Sequence, residues 1–217
     1  MTQALTTSLV TDPKDLEVVF HLRYQVYYLE RKYKDSPENI MHDEFDEYSL
    51  NFLTRNGKGT PIATARLVLY SPLGFPLEKG YDMSESWVGI DRTHVAEFSR
   101  FALSKNIREA EGEAAATPDS KKFGHSEVAL HLILALLKES RKRGITHWCA
   151  AIERSLWLAL RHGGMGLRQI GPPKDYHGIR IPCLASLEEL LDNRPFPPSA
   201  EYAAFFADVL QHNKDTL

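Results

Sequence analysis

Between Ser126 and Arg143 the chain carries apolar residues at 128, 130, 132, 133, 134, 136 and 137. On a helix they surround much of the axis instead of lining one stripe, and such a helix is stable only when deeply buried. Ser126 supplies a cap at its start and Gly144 a stop. The segments around it read largely as strands. Tyr48 to Arg55 and Ile62 to Tyr70 are joined by Asn56-Gly57-Lys58-Gly59, a strong hairpin signal. Further strands are predicted at Gln3 to Val10, His94 to Leu103, Ile145 to Ile152, Leu167 to Ile170 and Gly178 to Cys183. Asp12 and Pro13 open a helix on which Leu16, Phe20, Arg23 and Tyr27 recur at helical spacing. A short helical piece is predicted near Ser84 to Val88, and Glu153 to His162 is a helix closed by Gly163-Gly164. Ser186 and Glu189 suggest a capping box for a small helix, and a last amphipathic helix starts near Ser199, burying Phe205, Phe206, Val209 and Leu210. The order predicts an α/β fold, a mixed β-sheet with helices on both faces.

The length of 217 residues suits one domain over 1–217. Residues 104–122, charged, alanine-rich and nearly free of aromatics, read as a mobile insertion. Residues 186–217 read as a C-terminal helical extension. A net charge of -3 speaks against nucleic acid as a partner. No apolar run approaches a membrane span, and the first ten residues lack a signal-peptide pattern, so a cytoplasmic protein is expected. Cys149 and Cys183 sit in strand-like runs and read as small buried residues. The nine histidines show no metal-ligand spacing, and no metal is expected.

Three polar features do not fit a plain core. Arg23 lies on the inward stripe of the first helix, where it either snorkels at an edge or pairs with the acidic stretch Asp43, Glu44 and Asp46. Arg66 shares a strand face with Ile62, Thr64 and Val68. In the strand 94–103, a strict period of two puts Glu97 and Ser99 with Val95, Phe101 and Leu103, and sends Arg100 to the other face with Phe98 and Ala102. A carboxylate desolvated in such a strand titrates late, which suits a general base, although an internal salt bridge would explain it too. There is no nucleophile elbow around Ser99 and no phosphate-binding loop at Gly163 to Gly166.

Together these residues resemble the acyl-homoserine-lactone (autoinducer) synthase family and its relatives, the N-acyl amino acid synthases and the acyltransferases associated with exosortase (PEP-CTERM) systems. Arg23, Tyr27 and Tyr33 match the family's N-terminal helix. Met41-His42-Asp43-Glu44-Phe45-Asp46 matches its acidic motif, Arg66-Leu67 its strand arginine, and Glu97-Phe98-Ser99-Arg100-Phe101 its Glu-x-Ser-Arg-Phe strand. The resemblance covers about residues 15–185 and implies a GNAT-like fold in which the strands 94–103 and 145–152 splay apart to admit the pantetheine arm of acyl carrier protein or coenzyme A. It implies an N-acyltransferase that joins a medium or long acyl group to an amino acid or similar small amine, with no tightly bound cofactor beyond the acyl-phosphopantetheine thioester as co-substrate. In that role Glu97 accepts the amine proton and Ser99 orients groups near the thioester. Arg23, Tyr27, Tyr33, Asp43, Asp46, Arg66 and Arg100 hold the acceptor, the buried helix and the strand with Trp148 wall the acyl pocket, and Phe101 is a further substrate-binding residue. Met41 stands where the family has a glutamate, and tyrosines stand where it has phenylalanine and tryptophan. These changes favour an amino acid or similar small amine as acceptor, with lactone synthesis from S-adenosylmethionine, and the quorum-sensing role it would bring, kept as an alternative. A non-catalytic module that binds an acylated carrier or lipid is the second alternative. Lys121, Lys122, Arg141 and Arg143, at the two ends of the buried helix, are the expected dock for an acidic acyl carrier protein.

Overall fold

The computed structural model describes residues 5–33, 39–83, 87, 89–105, 127–162 and 166–193. Its elements are β1 (Thr6–Leu9), α1 (Pro13–Tyr24), β2 (Ser49–Arg55), β3 (Pro61–Leu69), α2 (Pro76–Gly80), β4 (Val95–Leu103), α3 (Glu127–Lys142), β5 (His147–Glu153), α4 (Arg154–His162), β6 (Leu167–Gln169), β7 (Lys174–Asp175), β8 (Ile179–Ser186) and α5 (Leu187–Asn193). The strands form one open sheet in the order β1-β2-β3-β4-β5-β8-β6, with β7 paired to β8. Every pairing is antiparallel except that of β4 with β5. These two are parallel because α3 makes the crossover between them.

Helices cover both faces, as the sequence pattern requires. On one face Val128, Leu132, Leu136 and Leu137 of α3 pack on Phe52, Ala63, Ala65, Leu67, Ala96 and Trp148. On the other, Val19, Leu22 and Val26 pack on Leu53 and Ala102. Beside them Phe75, Leu77, Tyr81 and Met83 cover Val95, Cys149 and Leu184. Asp12 caps α1 by accepting a hydrogen bond from the Lys14 N–H at 2.8 Å, and Pro13 occupies its first turn. After Tyr24 the helix widens into a π turn over Gln25–Glu30. That turn lets the Tyr27 hydroxyl donate to the Phe101 carbonyl at 3.1 Å and the Gln25 amide donate to the Ser104 hydroxyl at 3.0 Å.

Three features depart from the sequence expectations. The helical turn α2 is one that the sequence pattern does not announce: Pro76 pre-sets its first turn and the Glu78 carboxylate accepts from the Phe75 N–H at 2.7 Å. Residues 84–86 and 88 lie outside the described residues, as do most of the insertion expected at 104–122 and the helix expected from Ser199. The two-residue strand β7 has no periodicity to betray it.

The third change matters most. Thr64 pairs with Ala102 but Arg66 pairs with Ser99, so three residues of β4 oppose two of β3. Arg100 is the hinge of this bulge and takes a left-handed φ of 53°. The bulge corrects the strict alternation predicted for the strand. Arg100 turns to the face that carries Glu97 and Ser99, and Phe101 and Leu103 turn to the α3 face, where Phe101 meets Phe98 with ring centroids 5.5 Å apart.

Among the described residues, no helix is long and apolar enough to cross a membrane. Leu136 is fully buried between α3 and the sheet. Leu136→Ala should therefore cost about 2–5 kcal/mol, read as a lower denaturation midpoint at unchanged slope. A loss below about 1 kcal/mol would show that α3 packs loosely.

Candidate active site

The ladder between β4 and β5 is short. It pairs Val95 with His147, Ala96 with Trp148 and Glu97 with Cys149, and then stops. From Phe98 onward the two strands run without pairing to each other, which opens a mouth toward their C-terminal ends. Glu97 marks the last paired level.

On the α1 face, arginines and carboxylates from distant segments meet beside that mouth. A 3₁₀ turn over Glu44–Tyr48 is opened by a reciprocal cap, in which Asp43 accepts from the Phe45 N–H at 3.0 Å and Asp46 accepts from the Asp43 N–H at 2.9 Å. This turn aims both carboxylates at the sheet. Asp43 accepts from both terminal nitrogens of Arg66, at 2.7 and 3.1 Å, and from Arg100 at 2.7 Å. Asp46 accepts from Arg23 at 2.8 Å and lies 3.1 Å from Arg66. The Arg66 Nε donates to the Ser99 hydroxyl at 3.1 Å. Arg23 also donates to the Asn51 side chain, a partner the sequence reading missed because Asn51 sits unmarked within a strand. Both Arg23 and Arg66 are fully buried, which resolves the choice between snorkelling and pairing.

Burial sets the charge state of this cluster. It pulls Arg23 down to about 10 against the opposing pull of Asp46, and neighbouring Arg66 adds to the fall, so the guanidinium is still charged at neutral pH. Burial alone would raise Asp43, but the hydrogen bonds and charge of Arg66, and then of Arg100, hold it well below the usual carboxylate range. Glu97 behaves in the opposite way. Desolvation pushes it up to about 8, against the Leu77 N–H and the charges of Arg66 and Arg100. Its partner is the backbone: the Leu77 N–H in the first turn of α2 donates to its carboxylate at 2.8 Å. Glu97 is thus held in place without an ion pair among the described residues, which sets it apart from the salt-bridged reading. Cys149, level with Glu97 across the ladder, is buried, and desolvation and then the Glu97 charge raise its thiol well above the ordinary value.

The aromatic residues divide by face. Tyr27 and Tyr33 meet on the Glu97 side, 5.5 Å between ring centroids. Tyr33 also stacks on His177 at 4.1 Å and accepts from Arg180 at 2.9 Å, so it reaches from the α1 segment to the start of β8. On the α3 face Trp148 stacks on Phe98 at 5.6 Å and donates to the Ser140 hydroxyl at 2.9 Å. Phe98, Phe101 and Trp148 make an apolar surface beside the mouth.

Two of the four residues of the expected carrier dock are among those described. Arg141 and Arg143 lie where α3 leads into β5, at the paired end of the two parallel strands. Arg143 donates to Glu139 at 2.8 Å, and Lys142 lies 3.5 Å from the same carboxylate, which offsets their charge. Lys121 and Lys122 lie outside the described residues. Among the described residues, no group of three or more histidine, cysteine, aspartate or glutamate side chains is placed to hold a metal ion.

The Asp43 cluster contributes to stability with a defined pH dependence. Its carboxylates titrate below the usual range when folded and near 4 when unfolded. The stability they add is present above about pH 4 and lost as pH falls further. Asp43→Asn should therefore cost about 3–5 kcal/mol at pH 6, and its melting temperature should converge with wild type below about pH 4. A gap that stays constant from pH 6 to 3 would contradict this assignment.

The fold recurs in known proteins. FeeM, an N-acyl amino acid synthase from uncultured soil microbes, superposes with a TM-score of 0.65 at 17% identity, over 88% of this chain and 95% of that one. BjaI, a CoA-dependent acyl-homoserine lactone synthase, gives 0.65 at 17% identity, over 93% and 97%. A candidate N-acetyltransferase from Lactobacillus plantarum gives 0.57 at 20%, over 85% and 99%. At these identities the likeness shows the fold, a GNAT-like acyltransferase sheet. No curated protein sequence matches the chain. The sequence model of the N-acyl amino acid synthase FeeM family matches residues 18–187, a span that contains both carboxylates of the acidic turn, the three arginines that they hold and Glu97, and the chain belongs to that family of acyltransferases.

Proposed function

We propose that this acyltransferase moves a medium- or long-chain acyl group from a phosphopantetheine thioester to the amine of an amino acid. The observation that carries the reading is Glu97: a buried carboxyl, pushed up to about 8, at the level where the β4–β5 ladder ends. The amine nitrogen attacks the thioester carbonyl there. Glu97, directly or through one water, takes the proton as the C–N bond forms. The C–S bond breaks and the proton ends on the departing thiol. The Phe98, Phe101 and Trp148 surface suits the acyl chain, and the arginine-rich opposite face suits an acceptor that carries negative charge. Ser99 is engaged by Arg66, so its role is to fix that guanidinium and not to attack.

Met41, which replaces a glutamate of the lactone synthases, is buried. The acidic turn thus lacks a third carboxylate for a cationic acceptor, which favours an amino acid over S-adenosylmethionine. The neighbour BjaI was solved with SAM and isopentyl-CoA, and this supports a thioester donor and an amine acceptor side by side on the same fold. An acyl carrier protein and coenzyme A present the same arm, and both remain donors in this reading.

Two measurements test it. Glu97→Gln should fold, because its amide oxygen still accepts from Leu77, but lose about 10²–10⁴-fold in turnover. Wild-type kcat/KM should rise with pH through about 8, since the base works only when ionised. The same raised value makes folding less favourable as pH climbs from about 4.5 toward 8, so Glu97→Gln should gain thermal stability over wild type across that window. Unchanged turnover, or a variant that fails to fold, would make Glu97 structural. For the donor, charge reversal at Arg141 and Arg143 should leave KM for a matched acyl-CoA and acyl carrier protein unchanged within about twofold, as expected of screened charges away from the mouth. A selective rise for the carrier protein would reinstate the basic end of α3 as its dock.

A further inference from the structure

Arg180 is held differently from the arginines around the mouth. Arg23, Arg66, Arg92 and Arg100 each hold a carboxylate. Arg180 is half-buried, yet its hydrogen-bond partners among the described residues are all neutral: the Tyr176 carbonyl at 3.1 Å through Nε, and the His177 carbonyl at 3.2 Å and Tyr33 hydroxyl at 2.9 Å through Nη2. Glu153 faces it in the β5–β8 register but makes no ion pair with it among the described residues. The two N–H groups of Nη1 have no protein partner there. This is a cation fixed in direction and left with an open edge, the geometry by which arginine grips a carboxylate.

Its position relates it to Glu97. Cys149, level with Glu97, and Glu153, level with Arg180, are four residues apart on β5, about 13 Å of strand. Leu184 packs with Cys149 on the Glu97 face, and Arg180 is four residues along β8 from Leu184, so strand alternation puts it on the same face. Two segments run from β4 to Arg180. In one, the Leu77 N–H donates to Glu97 and the Tyr81 hydroxyl to the Arg180 carbonyl at 3.4 Å. In the other, the Tyr27 hydroxyl donates to the Phe101 carbonyl and Tyr33 accepts from the Arg180 side chain. The turn that presents Arg180 is itself strained, with His177 at a left-handed φ of 51° directly before Gly178. His177 is kept there by its stack on Tyr33.

We propose that Arg180, steadied by Tyr33 and the 176–178 turn, binds the carboxylate of the acceptor and so selects amino acids over simple amines. This rests on the acyl-transfer reading above. The donor's pantetheine phosphate offers similar chemistry, but Arg180 lies on the Glu97 face and not on the apolar α3 face that suits the acyl chain.

The test compares Arg180→Met, Arg180→Lys and Tyr33→Phe with wild type, using amino acids and their α-carboxamides as acceptors and one saturating acyl thioester. Wild type should favour the acid. Arg180→Met should raise KM for the acid by about 10- to 100-fold, leave the amide unaffected and keep kcat, with Arg180→Lys and Tyr33→Phe between. A rise in donor KM instead, or equal losses with acid and amide, would overturn the assignment. Calorimetric titration of the free protein with the same acids and amides separates the two readings. Acid-selective binding lost in Arg180→Met supports the Arg180 site even where no thioester is turned over, whereas turnover with unaltered acid preference in Arg180→Met rejects the site and keeps the acyl transfer. Arg180→Lys serves where Arg180→Met fails to fold.

Discussion

The carboxylate of Asp43 is the point on which the candidate site depends. It accepts hydrogen bonds from Arg66 in β3 and Arg100 in β4, and its own backbone N–H is bound by Asp46, which in turn holds Arg23 of α1. One short turn therefore fastens a helix and two strands. A buried guanidinium without a counter-charge costs several kcal/mol, so three arginines on one face tolerate burial only while that turn stays docked. The reward is a firmly positioned set of charges beside Glu97, a buried carboxyl that makes no ion pair among the described residues and is pushed up to about 8.

The bulge at Arg100 makes this arrangement possible. With regular pairing, Arg100 would point into the α3 side among Phe98 and Trp148, a charge in an apolar surface, and Phe101 would occupy the ionic face. One extra residue in β4 reverses both. Polar chemistry and apolar packing then occupy opposite faces of the same strand, on either side of the opening between β4 and β5. A strand with period two cannot sort Glu-Phe-Ser-Arg-Phe in that way.

What the sequence reveals follows from how local each signal is. The apolar residues of α3, the Asn-Gly hairpin, and the Asp12–Pro13 start of α1 are set by neighbours a few residues apart, and each was legible. The anomalies Arg23, Arg66 and Glu97 were legible as misplaced polarity. Their partners were not, because Arg23 and Asp46 are 23 positions apart and Arg100 and Asp43 are 57 apart, and only the resemblance to a family put them in one place. The bulge was hidden because it falls on an arginine and not on the glycine that usually announces a left-handed residue. Arg180 was hidden for a related reason: its partners are backbone carbonyls and a tyrosine hydroxyl, which leave no charge pattern to read.

Cys149 has a chemical consequence of its own. Free thiols exchange acyl groups with thioesters, and they do so as thiolates. A thiolate level with Glu97 would be open to that exchange with a thioester substrate. Here the thiol is buried, directs its hydrogen to the Ala96 carbonyl at 3.7 Å, and sits beside a carboxyl whose ionisation further opposes its own. The ionised form of Glu97, which the proposed mechanism needs, is also the form that makes Cys149 harder to ionise. In the proposed reaction, chemical selectivity between the incoming amine and the resident thiol thus rests on the electrostatics of two neighbouring side chains, with no need to exclude sulfur from the sheet.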